Sequence, residues 1–262
     1  MKEIIAVINQ KGGVGKSTTA LTLGKAFAVK EFKVLFADLD AQGNLSYTMK
    51  AETASSTAST SFELLTDKVK AAEAIQHTEQ GALIASSPSL SLADSIITGA
   101  GKEYRLKETF AELHSSYDYI LIDTPPVLGV LTVNALTACT GAIIPAQADV
   151  YSLQGISQLY KTISAVKEHC NPSLEVMGIL LTRYNARTII SRDVADMIES
   201  TAKQFDTKLY KTKIRECTAL KESQIKQTDI FKYAKNSNAA IDYLSLADEI
   251  IEGENNYVKE KF

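Results

Sequence analysis

The stretch Lys11-Gly12-Gly13-Val14-Gly15-Lys16-Ser17-Thr18 decides the fold, together with what flanks it. Before it runs the apolar segment Ile4 to Asn9, and after it a helix-period stretch from about Lys16 to Val29. Several backbone N–H groups can converge on a polyphosphate only in a tight loop with little side-chain bulk. Gly12, Gly13 and Gly15 supply that loop, and the following helix aims its N-terminal dipole at the same point. Lys16 is then placed for the β- and γ-phosphates, and the Ser17 hydroxyl for magnesium. Residues Lys11 to Thr18 are therefore the nucleotide-binding candidates, with ATP and Mg2+ as the expected ligands. The pattern G-x-x-x-x-G-K-[ST] is not matched literally, because Gln10 occupies its first glycine position and Lys11 precedes the glycines. An ordinary glycine turn is the bland alternative, and the strand, loop and helix order argues against it.

Working outward, short apolar runs alternate with longer helical periods, the mark of repeated βα units and a mostly parallel sheet. Strands are expected at 34–38, 82–85, 119–123, 142–145, 176–182 and, last, 209–214. Helices are expected over 104–114, 153–168, 191–204 and 236–252, with short helical pieces between 61 and 82. Residues 51–61 are small and polar and read as a mobile surface loop. The expectation is one doubly wound α/β domain over 1–262, with helices on both faces of the sheet.

A triphosphate site also needs carboxylates. Asp38 and Asp40 follow the second strand, and Asp123 ends the apolar run Tyr119-Ile120-Leu121-Ile122. Strand ends beside the glycine loop are where an open α/β sheet places ligand-handling groups. Ser17, Asp38 and Asp123 are thus the metal-side candidates, with Asp123 holding a magnesium-bound water. Asp40 is the candidate to orient the attacking water, and Lys16 and Asp40 are the catalytic candidates. Either aspartate could alternatively cap a helix or a turn.

Composition sets further limits. Of 262 residues, 45% are hydrophobic and 23% charged, and the net charge of −3 excludes a cationic molecule as a whole, so any DNA contact must come from a local patch. Cys139, Cys170 and Cys217 are scattered, which reads as reduced thiols rather than a disulfide framework or zinc site. There is no signal-peptide pattern and no apolar run near the roughly 18 residues of a membrane span, so the expected location is the cytoplasm. His77, His114 and His169 are isolated and read as surface residues.

Six ordered blocks now resemble a known family, the ParA/Soj partition ATPases of the deviant Walker A group that also contains MinD. They are KGGVGKST at 11–18, DLDAQGN at 38–44, YDYILIDTPPVLGVLTVNAL at 117–136, IIPAQADVYSLQGISQL at 143–159, GILLTRYNART at 178–188 and IFKYAKNSNAAIDY at 230–243. The resemblance covers nearly the whole chain. It implies weak Mg-dependent ATP hydrolysis and an ATP-driven homodimer with nucleotides sandwiched between subunits. It also implies that Lys11 joins Lys16 and Asp40 in the catalytic set, the matching lysine of the family reaching the partner's phosphates. It further implies non-specific DNA binding by the ATP dimer, a nucleoid-associated location, and stimulation by a ParB-type centromere-binding protein. The cargo would be a plasmid, chromosome or integrative element. The segments near Thr182–Arg183 and Ile214–Arg215 are adenine-side candidates by family position.

For DNA, Arg187 matches an arginine of Soj-like members, whereas a second family arginine aligns with Ala219. Arg215, Lys213 and Lys221 are the candidates to replace it, Arg215 foremost. Segment 203–235 carries nine Lys/Arg against four Asp/Glu, which reads as a phosphate-backbone footprint if the charges share a face. Among rivals, a MinD-like membrane-positioning ATPase needs an amphipathic basic C-terminal helix, and the tail 251–262 is too acidic with no sustained apolar face. An iron–sulfur reductase needs cysteines after Asp123, where 124–129 contains none, and a bacterial tyrosine kinase needs a C-terminal tyrosine cluster. A nucleotide-switched DNA-binding regulator with negligible turnover differs from the leading reading in degree. Pro125-Pro126 forces an extended turn after Asp123 and belongs, by family analogy, to a γ-phosphate-sensing switch.

Overall fold

The computed structural model describes residues 2–53, 58–113 and 116–261, with side chains as far as Glu254. Its centre is a seven-stranded sheet of β1 (Glu3–Val7), β2 (Val34–Asp38), β3 (Ile75–Thr78), β4 (Gly81–Ile84), β5 (Tyr119–Asp123), β6 (Gly141–Ala146) and β7 (Glu175–Leu181). The spatial order is β3-β4-β2-β5-β1-β6-β7, and every pairing is parallel except the β3–β4 hairpin. The chain therefore winds one way from β1 to β2 and the other way from β1 to β6, leaving a crevice at the carboxyl ends of the central strands.

Strand period two divides the apolar residues between two cores. Ile4, Ala6, Leu35, Ala37, Ile120, Ile122, Ala142 and Ile144 face one side, and Ile5, Phe36, Leu121 and Ile143 the other. The first face is covered by α3 (Ser61–Leu65), α6 (Arg105–Ala111), α7 (Val130–Ala138), α8 (Val150–His169) and α9 (Ile189–Gln204). The second is covered by α1 (Lys16–Val29), α2 (Asn44–Thr48) and α12 (Asn238–Lys261). Helix α1 lies so close to the sheet that a Cβ at Gly24 would stand 2.3 Å from the Phe36 ring. Shorter pieces fill the connections: α4 (Ala71–Ala74), a 3-10 turn (Pro88–Leu92), α5 (Ala93–Ile96), α10 (Thr218–Ile225) and α11 (Ile230–Tyr233).

Several expectations are corrected. Leu209–Ile214 is not a strand: it touches the β7 edge through one isolated bridge, Leu209 to Ile179, and a second bridge just past it joins Arg215 to Tyr184, beyond the end of β7. Between them the Lys211 and Thr212 N–H groups donate to the Glu249 carboxylate of α12, at 2.9 and 3.0 Å, instead of to a ladder. Ile75–Thr78 pairs as an edge strand where only short helical pieces were expected, because the Glu79-Gln80 turn folds it back on β4. Helix α6 ends at Ala111, and His114 lies outside the described residues. The closing helix runs on to Lys261, and the tail side chains beyond Glu254 are outside the description.

Of the expected surface loop 51–61, residues 54–57 lie outside the described residues. Its end is no surface loop. Thr60 forms a capping box with Glu63, and Ser61 is fully buried against the second strand. Pro125-Pro126 contains no cis peptide.

Candidate functional site

The loop after β1 folds as its glycines dictate. Gly13 and Gly15 take φ of 76° and 88°, the left-handed region that side chains with a Cβ rarely enter. A Cβ at Gly12, Gly13 or Gly15 would meet nothing within 4 Å, so these glycines keep the backbone open to a ligand rather than packed against protein. Gly15 caps α1 with no side-chain hydrogen bond, which leaves first-turn N–H groups aimed at the crevice. Asn9 braces the loop from below: its amide donates to the Pro145 carbonyl at 2.7 Å, and its Oδ1 accepts from the Lys11 N–H at 2.9 Å.

A cavity of about 640 Å3 opens here, lined by Gly12, Gly13, Gly15, Lys16, Ser17, Thr18, Asp40, Pro126 and residues of α10. That size suits a nucleotide-scale ligand. A cleft of about 750 Å3 lies at the opposite end of the sheet, among Glu3, Glu175, Lys203 and Lys208. The glycine loop lines only the smaller of these two cavities, which makes that one the candidate phosphate site. A narrow side pocket of about 70 Å3 brings Val14 and Thr18 together with Thr182, Arg183, Ile214 and Arg215.

Three carboxylates stand at this end of the sheet. Asp38 and Asp123 are register partners on β2 and β5, and both are fully buried. Among the described residues neither Asp123 oxygen has a hydrogen-bond partner of normal geometry, although the Ser17 hydroxyl is near enough to favour its charged form. Burial first, and then the charge of Asp38, push its pKa well above the ordinary carboxylate value, with Ser17 and Lys16 pulling the other way. Asp38 is pushed up to about 6 by burial, against hydrogen bonds from Ser46 and Asp40. Its Oδ2 accepts from the Ser46 N–H and hydroxyl at 2.9 and 2.7 Å, and its Oδ1 from the Asp40 N–H at 3.1 Å.

Two buried carboxylates, one with both oxygens orphaned, form a site that a cation would relieve. Among the described residues no group of three or more His, Cys, Asp or Glu could hold a metal by itself. That suits magnesium, which takes few protein ligands and completes its shell with water and phosphate oxygens.

The two lysines are held in waiting. Lys16 is buried, and its ammonium donates to the Lys11 carbonyl at 3.3 Å, across the loop where phosphate would lie. Burial lowers its pKa, while Asp123 and Asp40 oppose that. Lys11 forms a 2.5 Å ion pair with Asp149, the N-cap of α8. Burial works against Asp149, yet its hydrogen bonds from Lys11 and Ser152 hold its carboxyl below the usual value. Asp149 was not singled out from sequence; a carboxylate just after a strand at the sheet's carboxyl end was the available signal.

The site residues are thus brought together, and of the DNA candidates Lys213, Arg215 and Lys221 stand around Arg183 and Tyr184. Arg187 is exposed on the loop between β7 and α9. Arg215 is committed to Asp242 through its Nε and a terminal nitrogen, at 3.0 and 2.6 Å, and its N–H donates to the same carboxylate. Lys213 sits over the Tyr184 ring and Lys221 pairs with Glu216. Lys203 and Lys208 line the cleft at the far end of the sheet. The basic excess of 203–235 therefore does not share one face.

Residues 2–176 match the family described as AAA domain. Over 253 residues the chain is 38% identical to the sporulation initiation inhibitor protein Soj of Bacillus subtilis, covering 95% of this chain and 98% of Soj. The chain belongs to the ParA/Soj family of P-loop ATPases. A second ParA/Soj relative, the chromosome partitioning protein ParA of Myxococcus xanthus, is 35% identical over 251 residues, 95% of this chain and 87% of that one. Among solved structures, cobyrinic acid a,c-diamide synthase of Mycobacterium smegmatis with bound ATP analog and magnesium superposes with a TM-score of 0.81. It is 33% identical and covers 95% of this chain and 93% of its own. The ParA/Soj assignment and the glycine-loop geometry agree. No described helix is long and apolar enough to cross a membrane.

Proposed function

We propose that this protein hydrolyses Mg-ATP to drive a cycle of dimerisation, non-specific DNA binding and release in DNA segregation. In this reading the loop amides of Gly12 to Thr18 and the Lys16 ammonium bind the phosphates. Ser17 and Asp123, with Asp38 behind them, would hold magnesium, which supplies charge neutralisation at the β- and γ-oxygens. Asp40 orients the attacking water. Lys11 leaves Asp149 and reaches the nucleotide of the second subunit, where the developing negative charge is best matched by a cation.

The observation that carries the reading is the company the glycine loop keeps at the carboxyl edge of the sheet. The connections after β5, β6 and β7 leave that same edge, and each exposes large apolar side chains: Val127 at 63%, Val150 and Tyr151 at 67% and 78%, Ile189 and Ile190 at 67% and 71%. Apolar residues gathered around a charged crevice support a face that a second copy covers once nucleotide bridges the two. A partner of the ParB type, bound to a centromere-like site, would stimulate turnover by completing the alignment of the attacking water.

The test is binding to non-specific duplex DNA with ATP, with ADP and without nucleotide. Wild type should bind only with ATP, Asp40→Ala should stay bound because hydrolysis is impaired, and Arg187→Ala should lose binding. Arg215→Ala should change it less, since that guanidinium is already paired with Asp242. Equal binding in all nucleotide states would defeat the proposal.

A further inference from the structure

Asp40 lines the nucleotide cavity. Its Oδ1 accepts the Gln42 N–H at 3.0 Å, and its Oδ2 has no hydrogen bond among the described residues. What holds that free oxygen toward the cavity is a closed ring of bonds behind it. The Asp40 N–H donates to Asp38 Oδ1, and the Asp40 carbonyl accepts from the Ser86 hydroxyl as well as from the Gly43 N–H of its own turn, at 2.8 Å. The Ser86 N–H donates to Ser46 Oγ at 2.8 Å, and the Ser46 hydroxyl donates to Asp38 Oδ2 at 2.7 Å. Ser61 adds a strut, its hydroxyl lying 2.5 Å from the Asp38 carbonyl and 2.7 Å from that of Ala85.

Every member is buried, Ser46 and Asp38 at 0%, Ser86 at 1% and Asp40 at 9% exposure. The ring joins three separate segments: the end of β2, the start of α2 and the chain just beyond β4. Each position has a chemical requirement. Residue 46 must accept from one neighbour and donate to another, which a hydroxyl does and a methyl cannot. Residue 86 must offer a donor to the Asp40 carbonyl. Neither serine lines the nucleotide cavity, so neither is placed to bind ligand.

We propose that Ser86 and Ser46 are positioning residues that fix the Asp40 peptide, and through it the orientation of the attacking water, without touching the nucleotide. This rests on the reading of Asp40 given under Proposed function. Without the Ser86 hydroxyl the Asp40 carbonyl keeps only the Gly43 N–H, at 2.8 Å, and its peptide is held by one bond fewer; displacements on the order of 1 Å at a reacting group lower rates up to about 100-fold.

The experiment measures kcat and KM for Mg-ATP hydrolysis, with nucleotide affinity by direct titration, for wild type, Ser86→Ala, Asp40→Ala and the double variant. Ser86→Ala should lower kcat roughly tenfold while KM and affinity stay within about twofold. In the double variant the serine change should add nothing to the loss from Asp40→Ala, because it acts through that carboxylate. Should Ser86→Ala fail to fold, Ser46→Ala in the same cycle reads the other half of the ring. An unchanged kcat in Ser86→Ala, or losses that multiply in the double variant, would overturn the proposal. If Asp40→Ala leaves kcat intact, the water-orienting reading falls and takes the ring's role with it. If Asp40→Ala is impaired and Ser86→Ala is silent, the ring's role alone is lost.

Discussion

Lys25→Met probes the helix that carries the glycine loop. Lys25 is 9% exposed on α1, and its ammonium donates to the Gln80 carbonyl in the β3–β4 turn. Burial, opposed by Asp229 and assisted by Lys232, lowers its pKa from 10.5 to about 8. That interval corresponds to roughly 3 kcal/mol by which folding disfavours the charged ammonium. The pKa is depressed in the folded chain, so the penalty is fully present below pH 8, shrinks between 8 and 10.5, and is gone above. Methionine removes the charge at similar length but leaves the Gln80 carbonyl without its donor, a loss of about 1–3 kcal/mol. At pH 7 the two terms nearly offset or favour the variant by up to about 2 kcal/mol, whereas at pH 10 the variant should be the less stable protein. Urea unfolding followed by far-ultraviolet circular dichroism at both pH values gives the difference between the two proteins. Groups common to both cancel in that difference, which should change by roughly 2–3 kcal/mol. A stability difference independent of pH would refute the argument that Lys25 is buried in charged form.

Lys11→Ala should abolish the ATP-dependent dimer, read by light scattering, because the proposed reading gives the contact with the second subunit's nucleotide to this ammonium; an unchanged ATP-driven dimer would remove Lys11 from the trans role. Lowering the pH should weaken Mg-ATP binding. Asp38 is raised to about 6 and Asp123 higher than its ordinary value, and the protonated forms give up the charge that holds the metal. Calorimetric titration at pH 5.5 should show affinity roughly fourfold below that at pH 7.5 from Asp38 alone, with protons released on binding. The metal-free protein behaves oppositely: a raised carboxyl pKa makes folding more favourable as pH falls from about 6 toward 3.8.

Much of this molecule is local in its logic. The glycine loop, its flanking strand and helix, and the aspartates at the ends of β2 and β5 were legible because short-range geometry fixes them. Left-handed backbone at Gly13 and Gly15 admits almost only glycine, and a continuous apolar run such as 119–122 has few places to go except a doubly covered strand. The strand expected at 209–214 failed for the opposite reason. Its Tyr210 and Ile214 N–H groups do bond β7, but two between them found a carboxylate on a helix far away in sequence. The basic excess at 203–235 is divided by the fold, which puts Lys203 and Lys208 at the opposite end of the sheet from Lys221.

From its residues alone the chain determined an open glycine loop between a strand and a helix, the mostly parallel sheet around it, and which carboxylates end beside it. These follow from steric limits on φ and from periodic burial, which act within a few residues. Only the tertiary structure decided that Lys11 rests on Asp149, that Arg215 is tied to Asp242, and that Ser46 and Ser86 close a ring behind Asp40. Each joins segments many residues apart, and such pairings exist only once two hydrophobic faces have been buried and the connecting loops brought to one edge.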